Sequence, residues 1–568
     1  MDIRRFIIFA GLAISSYMLI LAWNEDYGQT KQPVAPESIA TSTSKEVLDL
    51  PDTSVPVQTD SDAPSVGGEA PVAELPVTAA SGDIVRVTTD VFNLAIDPKG
   101  GEIVSVALPQ YPSSLNAKDS PFVLMDRSPA FTYVAQSGLL GKNGIDKEGP
   151  VTFASEATEY QLAEGEDSLA VEMTYQAEGV KVKKVFTFTR GSYLVDVAYE
   201  IENQTAETWQ AVFYAQLKRD RSGDPHSGNA MGMQSYLGTA LTTNDEAYKK
   251  YSFDDLDDNK FKENVNGGWA AILQHYFVSA WIANPEQPHT FNGRKAGDNY
   301  IIGFYDKALV IPAGETQTTG AKLYAGPKIQ KDLEAASPNL ELTVDYGWLW
   351  WIAQPLFAVL DFIQTGKISI FGFDIDLGTG VGNWGVAIIL LTVLIKLAFF
   401  KLSATSYRSM ANMRKVAPKM TAIREKYGDN REKLGQEMMA LYKKEKINPL
   451  GGCLPILVQM PVFIALYWVL MESVELRQAP FFLWIEDLSV KDPFFILPLI
   501  MGASMFIQMR LNPQPQDPMQ AQVMKFMPII FTIFFLWFPA GLVLYWVVNN
   551  VLSIAQQWYI TRQIENEN

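Results

Sequence analysis

The sequence predicts a polytopic α-helical membrane bundle of six spans that carries one large all-β domain outside the bilayer. Three observations predict this class. Long apolar runs occur only at the N-terminus and after residue 346, and two-residue hydrophobic alternation fills much of the region between them. Charge divides in the same way: residues 24–345 carry 25 Lys and Arg against 46 Asp and Glu, whereas residues 346–568 carry 19 against 16. The first part is therefore acidic and the second slightly basic.

Residues 1–24 predict a transmembrane signal anchor. Arg4 and Arg5 precede an apolar run, and no small-residue cleavage site follows that run. Because positive residues stay on the cytoplasmic side, the chain that follows is expected on the outer side. Residues 25–82 are rich in Pro, Ser, Thr and acidic residues without any helical or strand period, which predicts a flexible linker.

Residues 83–345 predict a large β-sandwich. Runs such as residues 180–189 and 193–199 alternate between apolar and polar residues, and Gly, Asn, Pro and Asp punctuate them. The single cysteine, Cys453, lies outside this region, so the exported domain depends on its core without disulfides. We find no nucleophile motif, metal-ligand spacing or phosphate-binding glycine loop, so we predict neither an enzyme nor a cofactor.

The membrane half begins with a predicted interfacial amphipathic helix at residues 346–366. Its tryptophans and its narrow polar stripe suit a helix that lies in the outer interface, and a half-span is the alternative. Residues 526–558 would measure about 50 Å as one helix, too long for one crossing, and Pro539 breaks them. In chain order we predict spans at 384–403, 451–471, 494–511, 526–538 and 541–562, a cytoplasmic hairpin at 404–450, an outer loop at 472–493 and a cytoplasmic loop at 512–525.

The predicted cytoplasmic hairpin at 404–450 is strongly basic. It contains 11 Lys and Arg against 5 Asp and Glu, which places it inside and places both termini in the cytoplasm. Such a hairpin can bind anionic lipid or ribosomal RNA, or it can be a solvated topology signal. The candidate docking residues are Arg408, Arg414, Lys415, Lys419 and Arg424.

Lys396 is the most informative residue, because it is a lone cation inside the apolar run from Trp384 to Phe400. A charge at such a position is costly, so it normally faces a protein interior or a wet cavity. Lys396 can also snorkel toward the cytoplasm, since Lys401 is only about 7 Å further along the helix. Thr392 lies one turn earlier on the same face, and Gln459 is a polar residue in the next span that can serve packing alone.

The order of these elements and several local sequences resemble the YidC/Oxa family of membrane protein insertases, in its Gram-negative form. The resemblance covers nearly the whole chain. It rests on residues 382–385 (GNWG), 437–442 (EMMALY), 448–453 (NPLGGC), 459–461 (QMP), 474–480 (VELRQAP), 517–519 (DPM) and 535–545 (FLWFPAGLVLY). It implies a periplasmic β-supersandwich, an insertase core of five spans and a location in the inner membrane.

The same resemblance implies a hydrophilic groove and a hydrophobic slide. The groove would contain Lys396, Thr392 and Gln459, with Lys396 where the family usually has Arg. The slide would contain Met460, Phe463, Tyr545 and Trp546. The implied partners are nascent membrane proteins, the Sec translocon with its accessory subunits, the ribosome with the signal recognition machinery, and membrane lipids. No cofactor is implied.

Two other classes compete with this interpretation. An ion or solute transporter is the main alternative, because an intramembrane lysine also marks proton and anion pathways. Transporters tend to show inverted repeats and several polar midplane positions, and the sequence shows neither. A sugar-active enzyme is the second alternative, because supersandwich folds occur among carbohydrate-processing proteins, but no convincing catalytic pair is present.

Overall fold

The computed structural model describes residues 84–128, 131–224, 235–370, 373–428, 430–445, 454–511 and 518–566. The predicted anchor at 1–24 and linker at 25–82 lie outside these ranges. The described chain divides into a β-rich region that ends near Pro327 and a helical region that begins near Trp350. This order confirms the predicted class of a large β-sandwich followed by helices.

Two large sheets form the β-sandwich. The first runs in the order β14-β17-β18-β11-β5-β4-β3-β2-β1-β7 with β19 beside β11, and the second runs β13-β12-β15-β16-β20-β10-β9-β8-β6. A separate hairpin pairs β21 with β22. The strands are β1 (Val85–Thr88), β2 (Asn93–Asp97), β3 (Glu102–Pro112), β4 (Pro121–Ser128), β5 (Phe131–Leu140), β6 (Ala154–Ser155), β7 (Glu159–Gln161), β8 (Ser168–Ala177), β9 (Val180–Thr189), β10 (Leu194–Asn203), β11 (Trp209–Asp220), β12 (Gly238–Leu241), β13 (Lys249–Tyr251), β14 (Phe261–Asn266), β15 (Trp269–Leu273), β16 (Phe277–Ile282), β17 (Pro288–Ala296), β18 (Asn299–Tyr305), β19 (Leu309–Ile311), β20 (Thr316–Pro327), β21 (Lys367–Ile370) and β22 (Phe373–Asp376).

Alternation along the strands builds the core between the two sheets. In β9, Val182, Phe186 and Phe188 are buried, whereas Lys183, Val185 and Thr187 are partly exposed. Successive side chains of a strand point to opposite faces, so this period buries one face of each sheet. The same inward row includes Lys184, a charge that the hydrophobic pattern alone would place outside.

The described α-helices are one short helix in the β-rich region, one short helix just after it and eight in the helical region. The helices that begin at Leu454 and Pro518 both begin at the edge of a described range. The helices are α1 (Phe253–Asp258), α2 (Gln330–Ala336), α3 (Trp350–Thr365), α4 (Trp384–Ala398), α5 (Phe400–Tyr427), α6 (Arg431–Lys444), α7 (Leu454–Glu472), α8 (Ile496–Leu511), α9 (Pro518–Phe535) and α10 (Ala540–Asn566).

The helix boundaries depart from the predicted spans at two places. Helix α4 ends at Ala398 and α5 begins at Phe400, so the amphipathic arm starts before residue 404 and continues through Pro418. Helix α9 starts inside the predicted cytoplasmic loop at 512–525. Taken singly, no helix in the described ranges combines the length and apolarity needed to cross a bilayer; α4 and the start of α5 meet that test as a pair bent by 66°. The six-span count stays a prediction.

Helix α10 lies centrally in the bundle, where it contacts α4, α5, α8 and, less extensively, α7. Helix α3 contacts α4 and α7. Close packing is visible at Gly385 in α4, where an added Cβ would collide with the ring of Phe481. This arrangement brings α4 and α7, which hold the predicted polar residues, to two sides of α10.

Candidate intramembrane site

Lys396 lies on α4 and contacts α10. Its Nζ donates a hydrogen bond to Ser553 Oγ at 2.8 Å, and Ser553 Oγ donates to the backbone oxygen of Asn549 at 2.7 Å. Ser553 is buried and Lys396 is partly buried. In the part of the chain that the structure describes, no carboxylate lies within ion-pair distance of the Lys396 ammonium. The cation is therefore held by a neutral hydroxyl.

Gln459 reaches α10 from α7. Its Nε2 donates to Asn549 Oδ1 and lies 3.4 Å from the hydroxyl oxygen of Tyr545. Tyr545, Asn549 and Ser553 are spaced four residues apart, so they share one face of α10. We name these three residues the α10 polar stripe. Lys396 and Gln459 contact this stripe from two different helices.

Thr392 is placed near the site without joining its hydrogen bonds. Its side chain is buried, and its Oγ1 donates to the backbone oxygen of Ile388 at 2.7 Å, one turn back in α4. This is the usual intrahelical bond of a threonine in an apolar helix. The structure therefore brings Lys396 and Gln459 to a common stripe and leaves Thr392 bonded to its own helix.

The four predicted slide residues do not share one environment. Met460 is 44% exposed, and the half-buried ring of Phe463 packs edge-on against Trp546 with centroids 4.6 Å apart. Tyr545 is only 1% exposed and turns its hydroxyl toward Gln459. We name Met460, Phe463 and Trp546 the apolar group, because Met460 lies about one turn from Phe463 on α7 and Phe463 packs against Trp546 of α10. Tyr545 belongs to the polar stripe.

Asn549 and Ser553 were not predicted from the sequence. The missed signal is the spacing of Tyr545, Asn549 and Ser553, because polar residues at four-residue intervals indicate one polar face of a helix. Two further polar contacts fasten α10 to α8: Asn550 Nδ2 donates to Ser504 Oγ at 3.1 Å, and Gln557 Nε2 donates to the backbone oxygen of Leu511 at 3.0 Å.

The predicted docking residues lie on α5. Arg408 and Lys415 are exposed, Arg424 is partly exposed, and Lys419 pairs with Glu445 after α6 at 2.7 Å. The side chain of Arg414 lies outside the described part of the structure. Val416, Met420 and Leu441 form the small apolar core that packs α5 against α6, so the basic side chains remain at the surface.

Both halves of the chain match models of known protein families. Residues 84–359 match the family model of the YidC periplasmic domain, and residues 376–567 match the model of the 60Kd inner membrane protein. The membrane protein insertase YidC of Stutzerimonas stutzeri is 55% identical over 566 residues, and that of Pseudomonas putida strain W619 is 56% identical over 571. Each match covers 100% of this chain and 99% of the relative. The chain belongs to the YidC family of membrane protein insertases.

Family membership confirms the resemblance that the sequence predicted and identifies the β-sandwich as a periplasmic domain. A crystal structure of an active YidC insertase, with its first transmembrane domain resolved, is 18% identical and covers 84% of this chain and 93% of its own. Its TM-score is 0.37, so it adds no argument about the site. The roles of Lys396, the polar stripe and the apolar group stay predictions within the YidC family.

Proposed function

We propose that this chain is a membrane protein insertase that moves nascent apolar segments from water into the inner membrane. The observation that carries the proposal is the geometry of Lys396, a cation that faces the α10 polar stripe and contacts a hydroxyl there. A charged flank of a nascent segment costs several kcal/mol to move across hydrocarbon. A cation inside the bundle lowers that cost for an acidic flank because it offers an attractive partner along the way.

In this proposal, Ser553 holds the Lys396 ammonium in position and leaves its charge available to a substrate. A hydroxyl positions the ammonium without neutralising it, whereas a carboxylate would form an ion pair that an incoming acidic residue must displace. The Gln459 side chain adds an amide, bonded to Asn549, beside the same stripe. The site therefore combines one available charge with polar groups that can exchange partners.

The apolar group supplies the second half of the proposed route. Met460 is exposed, and Phe463 and Trp546 present aromatic surface beside the polar stripe. Apolar side chains of a substrate can pass along this surface into lipid, and their partitioning provides the driving force. We place Tyr545 at the boundary between groove and slide, since its ring stacks near Phe463 while its hydroxyl approaches Gln459.

The proposed partners are nascent membrane proteins, the Sec translocon with its accessory subunits, the ribosome with the signal recognition machinery, and membrane lipids. The exposure of Arg408 and Lys415 on α5 supports contact with an anionic partner such as ribosomal RNA. The proposed topology has six spans, both termini in the cytoplasm and the large domain in the periplasm. Lipid contact at the outer interface is supported by Trp348, Trp350 and Trp351, each more than half exposed.

Reconstitution in liposomes tests the role of Lys396. The measurement is protease protection of a short single-span substrate with an acidic flank, made with the wild type, Lys396→Ala, Lys396→Arg and the control Lys401→Ala. We expect at least tenfold slower insertion with Lys396→Ala and near wild-type rates with Lys396→Arg and Lys401→Ala. Equal insertion by all four proteins would remove the cation from the mechanism. A wild type that inserts nothing but conducts ions would favour the transporter alternative.

A further inference from the structure

A cleft in the periplasmic domain has no part in the proposed insertion route. Its volume is about 1120 Å³, and its floor includes residues of β3, β5 and β11. Along β11, Phe213, Ala215 and Leu217 join the main core, whereas the alternate residues Tyr214, Gln216 and Lys218 line the cleft. The cleft is therefore built on the face of the first sheet that points away from the main core.

A chain of polar side chains runs along the floor of this cleft and ends at Arg294, which is not among the residues that line it. Arg127 Nη1 lies 3.5 Å from Glu102 Oε2, and Gln136 Nε2 donates to Glu102 Oε1 at 2.8 Å. Gln216 Nε2 donates to Gln136 Oε1 at 2.9 Å, and Arg294 Nη2 donates to Gln216 Oε1 at 3.4 Å. Gln136 and Gln216 are directly opposite each other in the register of β5 and β11. We name these five residues the polar ladder.

The inner part of the polar ladder is withdrawn from bulk water, whereas the Arg127 side chain at one end is exposed. Gln216 is only 2% exposed, and burial raises the pKa of the Glu102 carboxyl above its usual value. Buried polar groups are costly unless they are hydrogen-bonded. A glutamine side chain has two amide hydrogens and an oxygen with two lone pairs, so Gln136 can bond along the ladder and also to a ligand.

Charge and size restrict the class of ligand. Four basic and five acidic residues line the cleft, so it offers no net attraction to a phosphate or another strong anion. Its volume exceeds the range of about 300–1,000 Å³ that is common for small-molecule sites, so it accommodates more than a single small ring. The partly exposed ring of Tyr175 adds aromatic surface beside the polar floor, whereas Trp209 is buried in the main core.

We propose that this cleft binds a neutral oligosaccharide along the polar ladder. Each sugar hydroxyl can donate and accept hydrogen bonds, which suits a row that alternates amide, carboxylate and guanidinium groups. The apolar face of a sugar ring suits the partly exposed aromatic ring of Tyr175. An extended peptide is disfavoured, because it would bind by adding to a free strand edge, whereas β5 and β11 are each paired on both sides.

Isothermal titration calorimetry on the full chain in lipid nanodiscs tests this proposal, since sugar-based detergents would compete. The probes are maltotriose and N-acetylated chitotriose, and an extended neutral hexapeptide is the comparison ligand. We expect at least one trisaccharide to bind with millimolar or tighter affinity and at least tenfold weaker binding by Gln136→Ala. The matched control is Gln176→Ala, an exposed glutamine of β8 that is not among the residues lining the cleft.

Glu102→Gln is the second variant, and thermal unfolding verifies that each variant is folded. The substitution Glu102→Gln keeps the size of the side chain but replaces one hydrogen-bond acceptor with a donor. It should therefore also weaken sugar binding if the ladder contacts the sugar. Failure of both trisaccharides to bind would overturn the proposal, and so would equal binding by the wild type, Gln136→Ala and Glu102→Gln. Hexapeptide binding tighter than either sugar, and lost in Gln136→Ala, would overturn the saccharide class.

Discussion

Lys184 and its neighbour Lys183 lie on opposite faces of β9, and their side chains have different environments. Its Nζ lies inside the β-sandwich, where it donates to the backbone oxygens of Gly100 at 3.0 Å and Ser137 at 3.2 Å. Burial lowers the pKa of Lys184 to about 7, and burial raises the pKa of nearby Asp146. Lys183 faces outward, and the charges of Glu172 and Glu200 raise its pKa. A shift of one residue along β9 therefore changes the direction in which the pKa of a lysine is displaced.

The stability of the periplasmic domain should depend on pH through Lys184. Between about pH 7 and the unfolded pKa near 10.4, the unfolded chain binds the lysine proton and the folded domain does not, so this residue makes stability rise with pH. The slope is at most about 1.4 kcal/mol per pH unit. Thermal unfolding followed by tryptophan fluorescence from pH 7 to 9 should show this rise in the wild type relative to Lys184→Met.

Lys183→Met is the control for that experiment, because it removes a charge from the same strand at an exposed position. It should keep the pH dependence of the wild type over this window. If Lys184→Met also kept it, Lys184 would have to remain protonated in the folded domain.

The residue at position 553 should affect the rate of insertion, because it determines whether the Lys396 ammonium is available to an acidic flank of the substrate. Ser553→Ala removes the bond that positions the ammonium, and we expect insertion of an acid-flanked substrate to slow by about three- to tenfold. Ser553→Asp places a carboxylate beside the cation and should slow insertion further, because the new ion pair competes with the substrate. The liposome assay measures both rates.

Ser504→Ala is the matched control for these variants, since Ser504 bonds Asn550 at a different face of α10. Its insertion rate should change less than that of Ser553→Ala. Faster insertion by Ser553→Asp than by the wild type would contradict the proposed competition.

At the scale of elements, hydrophobic periodicity predicted a β-sandwich followed by helices, but it could not predict which helix faces meet. Lys396 was predicted from its own helix, because a charge in an apolar run is visible locally. Ser553 lies 157 residues further along the chain, and only the packing of α10 against α4 brings the two together. The break at Phe399 was also missed, since α5 begins while the sequence is still apolar at Phe400.

Helix α5 should provide the anionic docking surface if the proposed ribosome contact is correct. Arg408→Glu combined with Lys415→Glu reverses two exposed charges on α5 and should weaken binding of ribosomes to reconstituted vesicles by at least tenfold at low salt. The effect should shrink as salt is raised, because exposed charges are screened. Co-sedimentation with vesicles at two salt concentrations measures it.

The same charge reversal on α6, Lys433→Glu with Lys443→Glu, is the control. It should weaken ribosome binding less than the α5 variant does. Equal weakening by the two variants would indicate that the net charge of the hairpin matters and that α5 has no special face.

At the scale of the whole molecule, the periplasmic domain is fastened to the outer end of the bundle by several bonds. His275 Nε2 lies 2.7 Å from the backbone oxygen of Met471, and Ser235 Oγ donates to the buried Glu472 at 3.1 Å. Arg477 Nη2 donates to the backbone oxygen of Pro112 at 2.6 Å. This interface could not be predicted from the sequence, because the residues that form it are far apart in the chain.

Arg477 should hold the periplasmic domain against the outer loop. Arg477→Ala removes the bond to Pro112 and the stacking over Phe122 and Phe277, which lie 6.0 and 5.7 Å from the guanidinium carbon. We expect a loss of about 1–3 kcal/mol in docking stability. Hydrogen exchange should show reduced protection in β3 and β4, while Lys491→Ala, an exposed change in the same loop, should leave it unaltered.

Helix α7 connects these two regions, and Pro461 lies inside it between them. Its outer end, at Met471 and Glu472, is bonded to the periplasmic domain, and Gln459 lies about 20 Å inward along the same helix. A proline inside a helix removes one backbone hydrogen bond, so the helix bends more easily there than elsewhere. A displacement of the periplasmic domain would therefore act first on Met471 and Glu472, and bending at Pro461 would absorb part of it before it reached the Gln459–Asn549 bond.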